Sequence, residues 1–140
     1  SIMLLTSMIA GIVAGGMLFF AFFMAPMIFT QLAPETAGSF IRAVFPKYYL
    51  IFGALFIILS ALLFILSSNL LAALVLSSGL GFIAARQSLM PLINKYSDLA
   101  SGGDTAAARR FNSLHRTSVI LNSIQMLIIF YVFYSLLNQL

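Results

Sequence analysis

The chain has no cysteine and no tryptophan, and only ten of its 140 side chains are charged. Without cysteine there is no disulfide framework, no cysteine-ligated zinc site and no thiol nucleophile. Those ten charges are 7% of the residues, where a soluble domain carries about 25%, while hydrophobic residues reach 62%. A fold of this size leaves much of its surface exposed and cannot hide that much apolar area from water. A soluble enzyme and a disordered segment are excluded on that ground. A nucleic-acid reader is excluded too, since it needs basic residues clustered on a reading element. The length suits one domain, residues 1–140.

Carboxylates are scarcest of all: Glu35, Asp98 and Asp104 are the complete set. None lies in a long apolar run, so a carboxylate proton relay or a cation-coupled transporter lacks its usual parts. There is no phosphate-binding glycine loop and no paired carboxylate, and the one histidine has no acid nearby to build a triad. An enzyme working alone is not expected, nor is a resident cofactor or a metal site.

The chain does contain long uncharged runs. A membrane-crossing helix takes about 20 predominantly apolar residues, and residues 2–29 supply the first. This stretch lacks the basic leader and small-residue cleavage site of a signal peptide. The uncharged run between Lys47 and Arg86 is too long for one crossing and has Ser67, Ser68 and Asn69 in its middle. That turn-forming cluster divides it into helices over about 46–66 and 70–90. Pro46 is expected in the first turn of its helix, where the missing N–H costs nothing. A fourth crossing follows at about 117–138. The expected fold is an all-α integral membrane protein, an antiparallel four-helix transmembrane bundle with a cytoplasmic helical-hairpin extension.

Every charged side chain then falls in the two connecting segments at one end, 30–45 and 91–116, or on their borders at Lys47 and Arg86. Lys and Arg in short loops favour the cytoplasmic face. Both termini are therefore expected outside the cytoplasm, the host membrane being the bacterial inner (cytoplasmic) membrane. The net charge of +4 reads as a topology signal. Tyr48 and Tyr49 at one interface, and Tyr131 and Tyr134 near the other, agree with this arrangement.

Ala33-Pro34-Glu35 has the composition of a helix start, with Phe40, Ile41 and Val44 following on one face. A short amphipathic helix lying in the headgroups is expected there. Leu89, Ile93, Tyr96 and Ala100 continue the third helix beyond the lipid, and Pro91 is expected to kink it where it leaves the lipid. Ser101-Gly102-Gly103 should stop that helix, and Asp104 should cap the next.

The sharpest polar pattern is His115, Ser118, Asn122 and Gln125, spaced by three, four and three residues along one helical face. Pairing across the Gly-Gly turn brings Arg86 to the level of Ser118 and Asn122, and Asn94 somewhat below His115. One reading is a polar pocket open to the cytoplasm, with Arg86 anchoring an anion or a carbonyl. The other is interhelical hydrogen bonding with Arg86 snorkelling to the headgroups. Ser7, Gly11 and Gly15 form a small-residue seam, as do Ser77, Gly81 and Ala85; each serves either a partner or the bundle itself. Met17, Met24 and Met27 share a face of the first helix. Core or lipid packing is the preferred reading of them over a soft-metal path.

With these residues in view, the chain resembles the transmembrane-protein-205-like family of small four-span membrane proteins. The resemblance rests on Gly15-Gly16 with Phe19-Phe20, Ala25-Pro26 and Phe29, then Phe45-Pro46 and Tyr48, then Arg86, Pro91 and Asn94. Its strongest element is Phe111 with Leu114-His115-Arg116, Ser118 and Leu121-Asn122. The stretch from Asn94 to Phe111 is shorter and less charged than that family's pattern. The resemblance implies a four-helix membrane protein loosely associated with resistance to drugs and metal complexes. It marks Arg86, Asn94, His115, Ser118 and Asn122 as shared functional positions.

The leading functional expectation is a non-enzymatic accessory or structural subunit that packs against other membrane helices, for example in a respiratory or other energy-converting complex. Its partners would be the lipid bilayer and other membrane subunits or further copies of itself, with no nucleic acid. One alternative is a small exporter or binder of apolar molecules or soft metal complexes. Another is a carrier of haem or a different cofactor on His115.

Overall fold

The computed structural model describes all 140 residues and contains four long helices and no strand. They are α1 (Ile2–Gln31), α2 (Pro34–Ile65), α3 (Asn69–Ser101) and α4 (Thr105–Leu137), each long and apolar enough to cross a membrane. The fold is a four-helix membrane bundle, in which α1 packs on α2 and α4, and α3 packs on α2 and α4. At 1.5 Å per residue the helices run about 45–50 Å, against a hydrocarbon core near 30 Å. Measured from the end holding both termini, Lys47 lies about 27 Å down α2, Arg86 about 26 Å down α3 and Arg116 about 32 Å down α4. The charge-free slab thus matches the lipid in thickness, and the surplus helix length projects from the charged end.

The bends are built by backbone geometry. Past Ile65, Ser67 adopts a left-handed conformation (φ 62°), and the Ser67 and Ser68 N–H groups donate back to Phe64 and Leu63 carbonyls. The same motif closes α3: Gly103 has φ 97°, and the Gly103 and Asp104 N–H groups donate to Ala100 and Leu99 carbonyls. Both close a helix end by satisfying its last carbonyls. Asp104 Oδ1 accepts the Ala107 N–H at 3.0 Å and caps α4, as a short acceptor side chain does ahead of the first helical turn. At the third bend Ala33 is extended (ψ 148°) ahead of Pro34, the conformation that a following proline imposes.

Two expectations change here. The segment 34–45 is not a separate helix lying in the headgroups but the first three turns of α2, and Pro46 stands inside that helix rather than at its start. A proline ring removes one i→i−4 bond and crowds the carbonyl four residues back. Pro46 lies near the edge of the lipid, where the carbonyl left without a donor is within reach of water. In α1 and α3 the answer to proline differs. Each has a five-residue π turn, Phe20–Met24 and Ala85–Leu89, that ends two residues before its proline. The Ala25 N–H reaches Phe20, and the Met90 N–H reaches Ala85, five residues back in each case. Widening the turn gives the Pro26 and Pro91 rings room.

The core is an aromatic and aliphatic column. Phe20, Phe45, Tyr48, Tyr49, Phe52, Phe56 and Phe82 form one continuous aromatic cluster with ring centroids 4.6–6.4 Å apart. Tyr48 and Tyr49, expected to mark an interface, are buried in this cluster at 7% and 8% exposure, whereas Tyr131 and Tyr134 are exposed. The closest helix crossing is α2 on α3. A Cβ on Gly79 would stand 3.0 Å from Phe56 Cβ and 3.3 Å from the Gly53 carbonyl, so only glycine fits there without movement.

Candidate functional site

Hydroxyls within the helices mostly satisfy themselves. Thr6, Ser7, Ser77, Ser78 and Ser123 each donate to the carbonyl four residues back on their own helix. Such local bonds let a polar side chain sit in an apolar setting without a partner helix. Apart from Arg42 at the projecting end, the groups that do reach across helices are few: Arg86, Asn122 with Tyr48, and Gln125.

Arg86 sits on the widened turn of α3, half-buried, with Nε donating to the Pro46 carbonyl of α2 at 3.0 Å and Nη1 to Gln87 Oε1 at 2.7 Å. It holds a carbonyl, but on α2, and makes no hydrogen bond to the α4 stripe. Asn122 Oδ1 accepts the Tyr48 hydroxyl at 3.3 Å. Gln125, 2% exposed, donates from Nε2 to the Ser78 carbonyl at 2.9 Å. Gly81 makes room for it, because a Cβ there would meet Gln125 Nε2 at 3.3 Å. Ser118 donates to the His115 carbonyl on its own helix, and the exposed His115 ring stacks on Phe111 at 5.9 Å. Asn94 is engaged only through its main-chain oxygen, which accepts from Arg42 Nη2 at 3.2 Å.

The stripe is therefore one face in sequence and several separate contacts in space. Gln125 meets α3, Asn122 meets α2, and Ser118 and His115 stay on α4. Two surface hollows lie away from it. One, about 500 Å³, is an open apolar groove between α1 and α4 lined by Leu4, Ser7, Met8, Gly11, Ile12, Phe133, Leu137 and Leu140. The other, about 480 Å³, is a surface groove along Glu35, Thr36, Ser39, Phe40 and Ala43.

The seams also divide. Ser7 is buried, a Cβ on Gly11 would touch the Phe133 ring at 3.0 Å, and Gly15 faces open space. On α3, Ser77 is exposed, Gly81 seats Gln125, and Ala85 is buried. The methionines do not share one face, because the π turn shifts the register between them. Met17 is fully buried and Met27 is 43% exposed.

Sequence reasoning missed one ionic contact altogether. Arg42 on α2 grips Asp98 on α3 through both guanidinium ends, Nη2 to Oδ1 and Nη1 to Oδ2 at 3.4 Å. The two residues lie in different connecting segments, and only their opposite signs hinted at the pairing. It ties the projecting ends of α2 and α3 together beyond the lipid.

A family profile described as a domain of unknown function, DUF4149, matches residues 8–100, more than half of the chain. The chain belongs to the DUF4149 family. This overturns the resemblance to the transmembrane-protein-205-like family. The motifs behind that resemblance are short runs of small, aromatic and proline residues that recur wherever greasy helices pack. Its strongest element, Phe111–Asn122, lies outside the DUF4149 match. No curated protein and no solved structure matches the chain.

Proposed function

We propose that this DUF4149 protein is a non-enzymatic subunit of a larger assembly in the bacterial cytoplasmic membrane, docked through α1 to helices of other subunits. Both termini lie on the outer side in this reading, which the collection of all seven basic residues at one end supports. The observation that carries it is the bare outer face of α1. Leu4, Met8 and Ile12 are about half or more exposed, Gly15 has nothing within 4 Å of its Cβ position, and 22% of the helix's apolar stretch is buried within the fold. An open glycine among apolar neighbours lets another helix backbone approach closely, where dispersion contacts accumulate without a hydrophobic drive. The internal engagement of Arg86, Asn122 and Gln125 supports the same reading, since these groups serve to hold the bundle.

Gentle detergent extraction from native membranes tests it. The protein should co-purify in a stoichiometric assembly with other membrane polypeptides. Gly15→Leu should release it as a folded free chain, and Gly38→Leu, at an equally open position outside the lipid, should not. Recovery of the wild type as an isolated dimer carrying an apolar ligand would replace this reading with the small exporter. A haem spectrum lost on His115→Ala would replace it with the cofactor carrier.

A further inference from the structure

Three of the basic residues mark the edge of the lipid, one on each charged helix: Lys47, Arg86 and Arg116. The carboxylate on that helix or capping it, Glu35, Asp98 or Asp104, stands twelve residues further out in each case, about 18 Å along the axis. Two of those carboxylates are engaged where they stand, since Asp98 is paired with Arg42 and Asp104 caps α4. Separations of this size exceed the screening length of about 8 Å in physiological salt. The level of Lys47 and Arg86 therefore carries positive charge with no protein anion to balance it.

Arg86 holds the bundle through one side of its guanidinium and leaves the other side free. Its guanidinium is fixed by the bonds to Pro46 and Gln87, and its Nη2 donates to no protein atom. No buried polar side-chain atom in the fold lacks a partner, so that free end of Arg86 is accessible. Lys47 follows directly on Pro46, whose carbonyl Arg86 holds, and it is exposed and without an ion pair. A planar guanidinium fork matches phosphate oxygens, and a held fork loses little freedom on binding. The acceptors found at that depth are lipid phosphates. An uncompensated pair of cations selects a headgroup of net negative charge over a zwitterionic one.

We propose that Arg86 and Lys47, at the joint of α2 and α3, form a binding site for the phosphate headgroup of an anionic phospholipid in the leaflet at the charged end. The site is independent of the subunit reading above. Native mass spectrometry of the full chain, released from detergent with equal amounts of phosphatidylglycerol and phosphatidylcholine, tests it. The wild type should retain phosphatidylglycerol roughly tenfold more than phosphatidylcholine. Lys47→Gln, which disturbs no packing, should cut that preference several-fold, and Lys47→Gln with Arg86→Gln should abolish it. Arg109→Gln with Arg110→Gln removes the same charge from the projecting hairpin and should leave it intact. Equal retention by the wild type, or equal loss in both double variants, would overturn the site. Displacement of the lipid by inorganic phosphate at the same concentration would also overturn it, by showing a site for free anions.

Discussion

Arg86 on α3 donates its Nε to the main-chain oxygen of Pro46 on α2 at 3.0 Å. The bond joins two departures from regular helix, since Arg86 lies on a widened turn ahead of Pro91 and Pro46 interrupts the hydrogen-bond ladder of α2. A carbonyl has two lone pairs, so Pro46 can accept from Arg86 while still closing its own helical turn. A cation at the rim of the lipid is thereby used to register one helix against the next.

The α2–α3 crossing sets the first expectation. Gly79→Ala should destabilise the bundle by about 1–3 kcal/mol, because its Cβ would press on Phe56 Cβ and the Gly53 backbone. Gly15→Ala, with nothing in reach, should be neutral or stabilising by up to about 1 kcal/mol through helix propensity. Thermal unfolding of both variants in detergent, followed by circular dichroism, should move in these opposed directions.

The two matched turns offer a second comparison. Ser67 holds a left-handed conformation that glycine adopts freely, and Gly103 holds one that serine does not. Ser67→Gly should raise stability by about 1 kcal/mol and Gly103→Ser should lower it by about as much. A fall in melting temperature for Ser67→Gly would mean that the bend is held by something other than its backbone.

Gln125 and Gly81 should be coupled. Gly81→Ala alone crowds Gln125 Nε2, and Gln125→Ala alone removes its bond to the Ser78 carbonyl. Interhelical hydrogen bonds in membranes contribute about 0.6 kcal/mol on average, reaching about 1.7. Once Gln125→Ala is present, the cost of Gly81→Ala should fall sharply. A double-mutant cycle giving strict additivity would show that Gly81 does not seat this side chain.

The Arg42–Asp98 pair should matter little for stability. Both side chains are well exposed, and such pairs contribute about 0–1 kcal/mol. Asp98→Asn should shift the melting temperature slightly at low salt and not at all in high salt, where screening has already removed the attraction.

Hydropathy made the four crossings legible because lipid thickness imposes a length and a charge rule that composition alone satisfies. The turn at Gly102-Gly103-Asp104 was legible because each residue there answers a local backbone need. Pro46 was misread as a helix start, since a proline that begins a helix and one that interrupts it look alike without knowing where the chain meets water. Tyr48 and Tyr49 follow Lys47 at the edge of the lipid, but that both rings turn into the core was not legible, because an aromatic ring with one hydroxyl suits either an interface or a core. His115, Ser118, Asn122 and Gln125 lie on one unbroken helix, as their spacing implied. Which neighbouring helix each side chain meets depends on helix rotation, and periodicity carries no information about that. The π turns left no periodic signal beyond the prolines that follow them.

Four helices that cross the membrane with all side-chain charge on one side put the two ends of α3 in different compartments. The natural chain has no cysteine, so Ser68→Cys and Ser101→Cys each give a single thiol, at opposite ends of α3. With a membrane-impermeant maleimide applied to sealed cells, Ser68→Cys should be labelled and Ser101→Cys should react only after the cells are opened. Labelling of both positions in the same compartment would mean that α3 does not cross the membrane.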